Sequence, residues 1–527
     1  MKKIFTLFSA MLMSIASFAT TYNGTLTVTV NGEVSEQPTS VSIDEVNGNY
    51  KLSINNFMLV AGETNLPVGN IVIDHVPGAV NGGLTTLCTN QEIQILAGNV
   101  EGIAEEDWLG PLLGTVPVEM NARFTGEGYV VTDIHINMVE LGQVIDVKFE
   151  NVGTHFQMPN SDFETWSTAN NAPKHWHGFE SVKGSLSGSA YSETKLVSSN
   201  NVRPGSKGLT SAVVTSTKVF TVIANGTMTN GRLAAGSISA TNSANHSETK
   251  LSSTDVDANG DPFATPMYAK PDSVKFWMRF TQAKAQASNP LAAFNAVITD
   301  GTYYQDPEDK DYTNKVAVAA PNKADMTVGD WRLVSCPFDY ASYAANGAEA
   351  KAILLTVSTN ATPGKGSYSN GVADSVYVDD LELVYAAGIK SISFKGQALD
   401  LATIQTTGIE LAADEAVSAA DFEVVKEGED AKVTKLVEAT ADGYVAVITA
   451  VSADLKTQVA YEINIKKPAA PVLKGDINGD GVLDVADASA LIDMVLNSGT
   501  CTEVADVNGD GALDVADVTE LITLILG

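Results

Sequence analysis

Cysteine is scarce and widely spread. Cys88, Cys336 and Cys501 fall one to a region of the 527-residue chain. No region can close a disulfide framework of its own, so stapling must come from packed cores or bound metal. Basic residues are also few: 32 Lys and Arg stand against 63 Asp and Glu, for a formal net charge of −31. Such a surface argues against nucleic acid and anionic membranes as partners. No apolar run after residue 19 approaches membrane-spanning length, so no membrane span is expected. A Gly-rich phosphate loop, a nucleophile elbow and zinc-type Cys/His spacing are all missing.

Acid is plentiful, and it is most regular at the C-terminus. Asp476-Ile-Asn-Gly-Asp-Gly-Val-Leu-Asp-Val-Ala-Asp487 returns as Asp506-Val-Asn-Gly-Asp-Gly-Ala-Leu-Asp-Val-Ala-Asp517. Oxygen-bearing side chains occupy loop positions 1, 3, 5, 9 and 12. They are Asp476, Asn478, Asp480, Asp484 and Asp487, then Asp506, Asn508, Asp510, Asp514 and Asp517. Position 7, Val482 or Ala512, can offer only its carbonyl, and position 6 is Gly481 or Gly511, where the chain must turn sharply. This is the ligand spacing of an EF-hand-type calcium loop. Four carboxylates in each loop repel one another unless a cation sits among them; an acidic turn without metal is the plainer alternative. Each loop leads into a helical apolar stripe: Ala488, Leu491, Ile492, Val495 and Leu496, then Val518, Leu521, Ile522, Ile525 and Leu526.

A loop with only its exiting helix, repeated in this way, closely resembles the type I dockerin module. Asp487 and Asp517 stand where the stricter EF-hand has Glu, which agrees with the dockerin pattern. The resemblance implies two bound calcium ions and a cohesin domain as partner. Partner choice in that family rests largely on loop positions 10 and 11, here Val485-Ala486 and Val515-Ala516. They are apolar and identical in both repeats, which permits a two-fold-symmetric apolar contact but matches no known cohesin class. A calcium-stapled terminal module without a cohesin partner is the alternative.

The start of the chain reads as a secretory signal over 1–19. Lys2 and Lys3 precede an apolar run from Ile4 to Ile15, and Ser17-Phe-Ala19 supplies small residues for cleavage before Thr20. The expected locations are periplasmic, cell-surface-associated or extracellular.

The rest is β-rich throughout. Residues 20–154 read as seven or eight short strands of alternating polarity, with Asn31-Gly32 as a hairpin signal. The blocks Asn47 to Phe57 and Ile136 to Val139 resemble the calycin-like domain of exported Bacteroidetes proteins. That resemblance implies a β-barrel, either holding a small apolar ligand or filled by its own side chains. Residues 155–386 open on Asn160-Ser-Asp-Phe-Glu-Thr-Trp166 and close on Val378-Asp-Asp-Leu-Glu-Leu383. With the internal Lys270 to Trp277 block, these ends resemble carbohydrate-binding jelly rolls and the Bacteroidetes family named the putative carbohydrate metabolism domain. In such jelly rolls the first and last strands pair side by side. Residues 387–467 fit a small immunoglobulin-like sandwich, 468–474 an extended proline linker, and 475–527 the dockerin.

Candidate chemistry in the jelly roll is sparse. Its acids near the paired ends are Asp162, Glu164, Glu180, Asp379 and Asp380. Glycoside hydrolysis needs two carboxylates roughly 5–9 Å apart. In related jelly rolls such acids hold a structural calcium, which would put Glu164 with Asp379 or Asp380; solvated strand-edge acids are the alternative. His175 and His177 could form a metal pair, or a polar loop beside a buried Trp176. Trp176, Tyr303, Tyr304 and Trp331 are the candidate sugar-stacking platforms, with core packing the plainer reading of each. The expected fold class is mainly β and multi-domain: a calycin-like barrel, a jelly-roll sandwich, an immunoglobulin-like sandwich and a small all-α calcium-binding dockerin. The expected function is non-catalytic glycan binding by an exported protein. A glycoside hydrolase and a structural adhesin-like component are the rivals.

Overall fold

The computed structural model describes residues 19–61, 64–168, 172–191, 196–219, 221–468 and 473–527. The expected signal segment, apart from Ala19, and most of the expected linker lie outside the described residues. No helix among the described residues is long and apolar enough to cross a membrane. Contacts divide the chain into two units. One takes the chain through Gln405, with Ser418–Val437 and Ala446–Glu462; the other takes Thr406–Val417, Glu438–Val445 and Ile463–Gly527.

The first unit begins with nine antiparallel strands: β1 (Thr20–Val30), β2 (Glu33–Val46), β3 (Asn49–Ala61), β4 (Thr64–Val76), β5 (Gly78–Asn81), β6 (Leu84–Gln94), β7 (Thr115–Thr125), β8 (Val130–Met138) and β9 (Gln143–Asn151). Their order is β4-β3-β2-β1-β9-β8-β7-β6-β5. The hairpins form where Asn-Gly pairs accept positive φ: Asn31 and Gly32 at 49° and 92°, Asn47 and Gly48 at 54° and 81°. The sheet curls until Asn70 and Leu96 exchange backbone hydrogen bonds of 2.8 and 3.2 Å. Alternate side chains then point inward. Leu26, Val41, Leu52, Ile73, Leu87, Val118, Met120 and Phe149 pack into one buried cluster that occupies the interior.

The following residues form a sandwich. Its strands are β10 (Leu196–Ser199), β11 (Ser211–Thr215), β12 (Thr227–Thr229), β13 (Thr265–Pro266), β14 (Ser273–Thr281), β15 (Ala293–Thr299), β16 (Lys315–Ala319), β17 (Gly329–Asp339), β18 (Ala352–Ser358) and β19 (Ser375–Val384). The order is β10-β11-β19-β14-β17-β16-β15-β18-β12, with β13 on β18. Strand β17 joins two layers: it pairs with β14 along most of its length and with β16 only at Phe338 and Asp339. Strict alternation on β14 sends Val274, Phe276, Met278 and Phe280 into the core, and Lys275, Trp277 and Arg279 outward. The core between the layers adds Phe294, Ile298, Val334, Ile353, Leu355, Val376 and Val378.

The opening segment differs from expectation. Asn160 to Trp166 is a series of turns rather than a first strand. The Asn160 amide folds it back, accepting from Thr165 N–H and donating to the Thr165 and Lys174 carbonyls at 2.9 Å each. Asn160 and Phe163 have φ of 49° and 58°, outside the extended range of a regular strand. The segment still lies beside β19, through Leu381 N–H to the Ser161 carbonyl (2.8 Å) and the Gln157 amide on both backbone groups of Leu383.

Strands follow at Ile389–Phe394, Gln397–Ala398 and Phe422–Lys426, which pair in one sheet, and at Lys432–Thr440, Gly443–Val451 and Gln458–Lys466. No disulfide joins the three cysteines: Cys336 is buried, Cys88 half-buried and Cys501 exposed. Burial pushes the Cys336 thiol up to about 12. A thiol reagent added to native protein should therefore label Cys501 within minutes and reach Cys336 only after denaturation. Immediate labelling of Cys336 would show that the sandwich core is open.

Candidate metal centre and binding surfaces

The two C-terminal loops are built alike. In the first, Asp476 Oδ1 accepts from Gly479 and Asp480 N–H at 2.9 and 3.1 Å, and Oδ2 from Gly481 N–H at 2.9 Å. Gly481 and Gly511 have φ of 83° and 82°, the sharp turn that glycine permits. Asp487 is fully buried and accepts from Ile477, Asn478 and Asp484 N–H at 2.8–3.1 Å. Burial pushes its carboxyl up, but those donors outweigh burial and hold it below the ordinary carboxylate range. In the second loop Asp506 Oδ2 accepts from Gly511 N–H at 3.1 Å, and buried Asp517 accepts from Asn508 and Asp514 N–H at 3.2 and 3.0 Å.

Asp484 and Asp514 serve the helices as well as the loops. Each caps a helix, α1 (Val485–Leu496) or α2 (Val515–Leu526), by accepting from Ala486 or Ala516 N–H at 2.7 Å. The capping box with Asp487 or Asp517 fixes where each helix starts relative to its loop.

Two observations fit this arrangement to a cation with oxygen ligands. Carboxylate oxygens of Asp476, Asp480 and Asp487 lie within 4.8 Å of one another. In the second loop, Asp506 Oδ1 is buried and has no hydrogen-bond partner. Residues 474–526 match the family model of the dockerin type I domain. This segment is a type I dockerin. Residues 18–152 match the calycin-like beta-barrel domain, in agreement with the curled nine-stranded sheet. Domains of the dockerin type bind calcium and attach to cohesins.

Two solved structures are similar at low score. A "putative outer membrane protein" of Bacteroides fragilis is 9% identical over 64% of this chain and 96% of its own, with a TM-score of 0.17. The CBM22-1–CBM22-2 tandem domain of Paenibacillus barcinonensis Xyn10C is 10% identical over 70% and 97%, with a TM-score of 0.19. Neither score carries an argument. The search of curated proteins finds no match.

The dockerin presents Val485, Ala486, Val515 and Ala516 to solvent at the two helix starts, with Val485 72% and Val515 67% exposed. Its core is Ala488, Leu491, Ala505, Val507, Val518 and Leu521, backed by Ile477, Leu483, Val495 and Ile525. The apolar stripes are therefore narrower than the sequence pattern suggests. Ile492 and Leu496 on α1, and Ile522 and Leu526 on α2, point outward instead. A twelve-residue helix against one small partner can bury only one face.

In the sandwich the proposed platforms separate. Trp176 is fully buried, donates to the Pro159 and Asn160 carbonyls and packs on Phe163. Tyr304 is buried beside Tyr312. Both are core, which corrects their reading as sugar platforms. Tyr303 is partly exposed, but its hydroxyl is bound to Glu248 and Gln305. Burial pushes Glu248 up, while the bonds from His246, Lys183 and Tyr303 outweigh it and bring its carboxyl to about 2. Trp331 is half-buried, with its indole N–H on Asn201 Oδ1 at 3.2 Å.

His175 and His177 each face a different carboxylate. His175 faces Asp261 at 3.4 Å, and the fully buried His177 faces Asp257 at 3.7 Å. Burial holds His177 below the usual imidazole range. Glu164 is taken up by Leu209 and Thr210 N–H at 2.9–3.0 Å. Asp380 pairs with Arg203, and Asp379 accepts from Arg203 and Asp380 N–H. Burial pushes Asp379 up to about 6 despite those donors. Asp162 accepts from Glu164 N–H, and Glu180 from Gly178 N–H. These acids are engaged by backbone donors, one arginine and, at Glu180 Oε1, the Ser181 hydroxyl, while Glu180 Oε2 is buried without a partner. Among the described residues, the three-ligand metal cluster lies in the dockerin.

Sequence reasoning missed Trp277 and Tyr377. Both are half-buried on the outward face of the sandwich. The signal was the alternation of Lys275, Trp277 and Arg279 against Val274, Phe276 and Met278, which separates the outward tryptophan from the core.

Proposed function

We propose that this is an exported, non-catalytic glycan-binding protein, held by its dockerin to a cohesin-bearing partner through an apolar, calcium-dependent contact. The observation that carries this reading is the duplicated loop-and-helix unit. Both loops have the full set of oxygen ligands, and each calcium loop sets an exposed Val-Ala pair at a helix start. Val485 with Ile492 and Leu496, and Val515 with Ile522 and Leu526, form the apolar surface a partner would cover. Solvent-facing aromatic side chains on the sandwich support the glycan part. A single stacked site binds sugar weakly, at millimolar to high-micromolar Kd, equivalent to roughly 4–6 kcal/mol. Attachment to a partner raises local concentration and offsets that weakness.

Binding of the full chain to immobilised type I cohesins, with and without a chelator, tests the attachment. Capture in calcium that disappears in EDTA is expected, and V485D with V515D should abolish it. Failure of every cohesin to bind would leave a calcium-stapled module without that partner. Reducing-sugar release from a polysaccharide panel would replace the binder with a hydrolase.

A further inference from the structure

We propose that the outward face of β14, β17 and β19 is the glycan-binding surface, and that it takes neutral polysaccharide. This rests on the glycan-capture reading above and names its site. Cross-strand register sets the groups side by side. Arg279 on β14 is opposite Tyr377 on β19, and Trp277 is opposite Leu333 on β17 and Asp379 on β19. Trp331 meets Tyr377 edge to face, with centroids 6.2 Å apart. The Arg279 guanidinium lies 5.4 Å above the Tyr377 ring. Arg203, from the loop between β10 and β11, covers Trp277 at 5.4 Å and is itself tied to Asp380. Leu333 is 50% exposed between these rings.

Two features point to a ligand here. Trp331 and Tyr377 stay partly exposed on a sheet face turned away from the core, although Asn201 and Arg203 of the neighbouring loop pack beside Trp331 and Trp277. Arg279 Nε is also buried and has no hydrogen-bond partner; the nearest carboxylate, on exposed Asp330, stands 3.9 Å away, beyond hydrogen-bond length. The Arg279 side chain as a whole is 29% exposed, so an acceptor can approach it from solvent. A pyranose has what this face lacks: C–H faces for the rings of Trp331 and Tyr377, and hydroxyl oxygens for the guanidinium. The charge of the chain selects among sugars. At a net −31, with Asp330 fully exposed at the rim, a polyuronate is repelled at long range and a neutral polymer is not.

Affinity electrophoresis and calorimetry of the full chain test this, using soluble β-glucan, xylan and galactomannan as neutral probes and polygalacturonate as the anionic one. At least one neutral polymer should bind. W331A and Y377A should each weaken it about tenfold or more, and Y377F should keep it. L333K, at an exposed position, blocks the same face without touching the core, so it stands in if W331A fails to fold. Equal binding by wild type and all three damaging variants would overturn this face while leaving glycan capture intact. Binding of polygalacturonate alone would overturn the ligand class. No retention of any polymer by wild type would instead sink the glycan reading itself.

Discussion

Stripping calcium from the full chain should melt α1 and α2 while leaving the β domains folded. Hydrogen-exchange mass spectrometry should find peptides from 485–496 and 515–526 protected in calcium and exchanged within seconds in EDTA. The reason is the balance inside the dockerin. Its core is six buried side chains, two of them alanine, too little to order some fifty residues alone. Against that core stand the close carboxylates of Asp476, Asp480 and Asp487 and the unpartnered oxygen of Asp506. A cation converts both liabilities into binding energy. At calcium a hundredfold above Kd, each site adds about 2.7 kcal/mol to the folded state. Calorimetry should count two ions per chain, and D476A or D506A should each remove one. Equal protection with and without chelator would show that the module folds on its core alone.

The calcium loops were the most legible part of the chain because a ligand position is a residue type, and type is what a sequence records. The hairpin at Asn31-Gly32 was legible for the same reason, since only a few residues accept its φ. Faces were harder to read. Trp176 and Trp277 are the same residue type, yet Trp176 is drawn into the core from a turn by the Pro159 and Asn160 carbonyls and Phe163, while strand parity turns Trp277 outward. Ile492 and Leu496 continue a valid helical stripe, but the partner helix is too small to cover it. The turn at Asn160 was hidden because its cause is a side-chain bond to Thr165 and Lys174, made only once the chain has folded back.

Arg123 was also unreadable from pattern, and R123A is expected to be among the most destabilising single changes in the first unit. It holds an outward position on β7, among alternating residues that would place it in water. Yet it is 2% exposed. Its Nε donates to the Leu455 carbonyl at 2.6 Å and its Nη1 meets Asp133 at 2.6 Å. Around it Leu84, Val131, Val152, Val451 and Leu455 form a small apolar cluster. The guanidinium therefore ties the barrel wall to the turn at Leu455, which holds a left-handed φ of 61°. Truncation leaves a buried carbonyl without its donor and opens a void in that cluster. Losing one partner of a buried pair costs about 3–5 kcal/mol; Asp133 is 44% exposed, so solvent screens part of this and about 2–4 kcal/mol is expected. Scanning calorimetry should see the barrel transition fall by roughly 5–15 °C, at a few degrees per kcal/mol for a domain of this size. D133N keeps the Leu455 bond but leaves the buried guanidinium without its counter-charge, so it should destabilise as well, by about 1–3 kcal/mol after allowing for solvent screening at the half-exposed carboxylate. If R123A melts with wild type, the buried guanidinium contributes nothing to the junction, and the apolar cluster alone holds it.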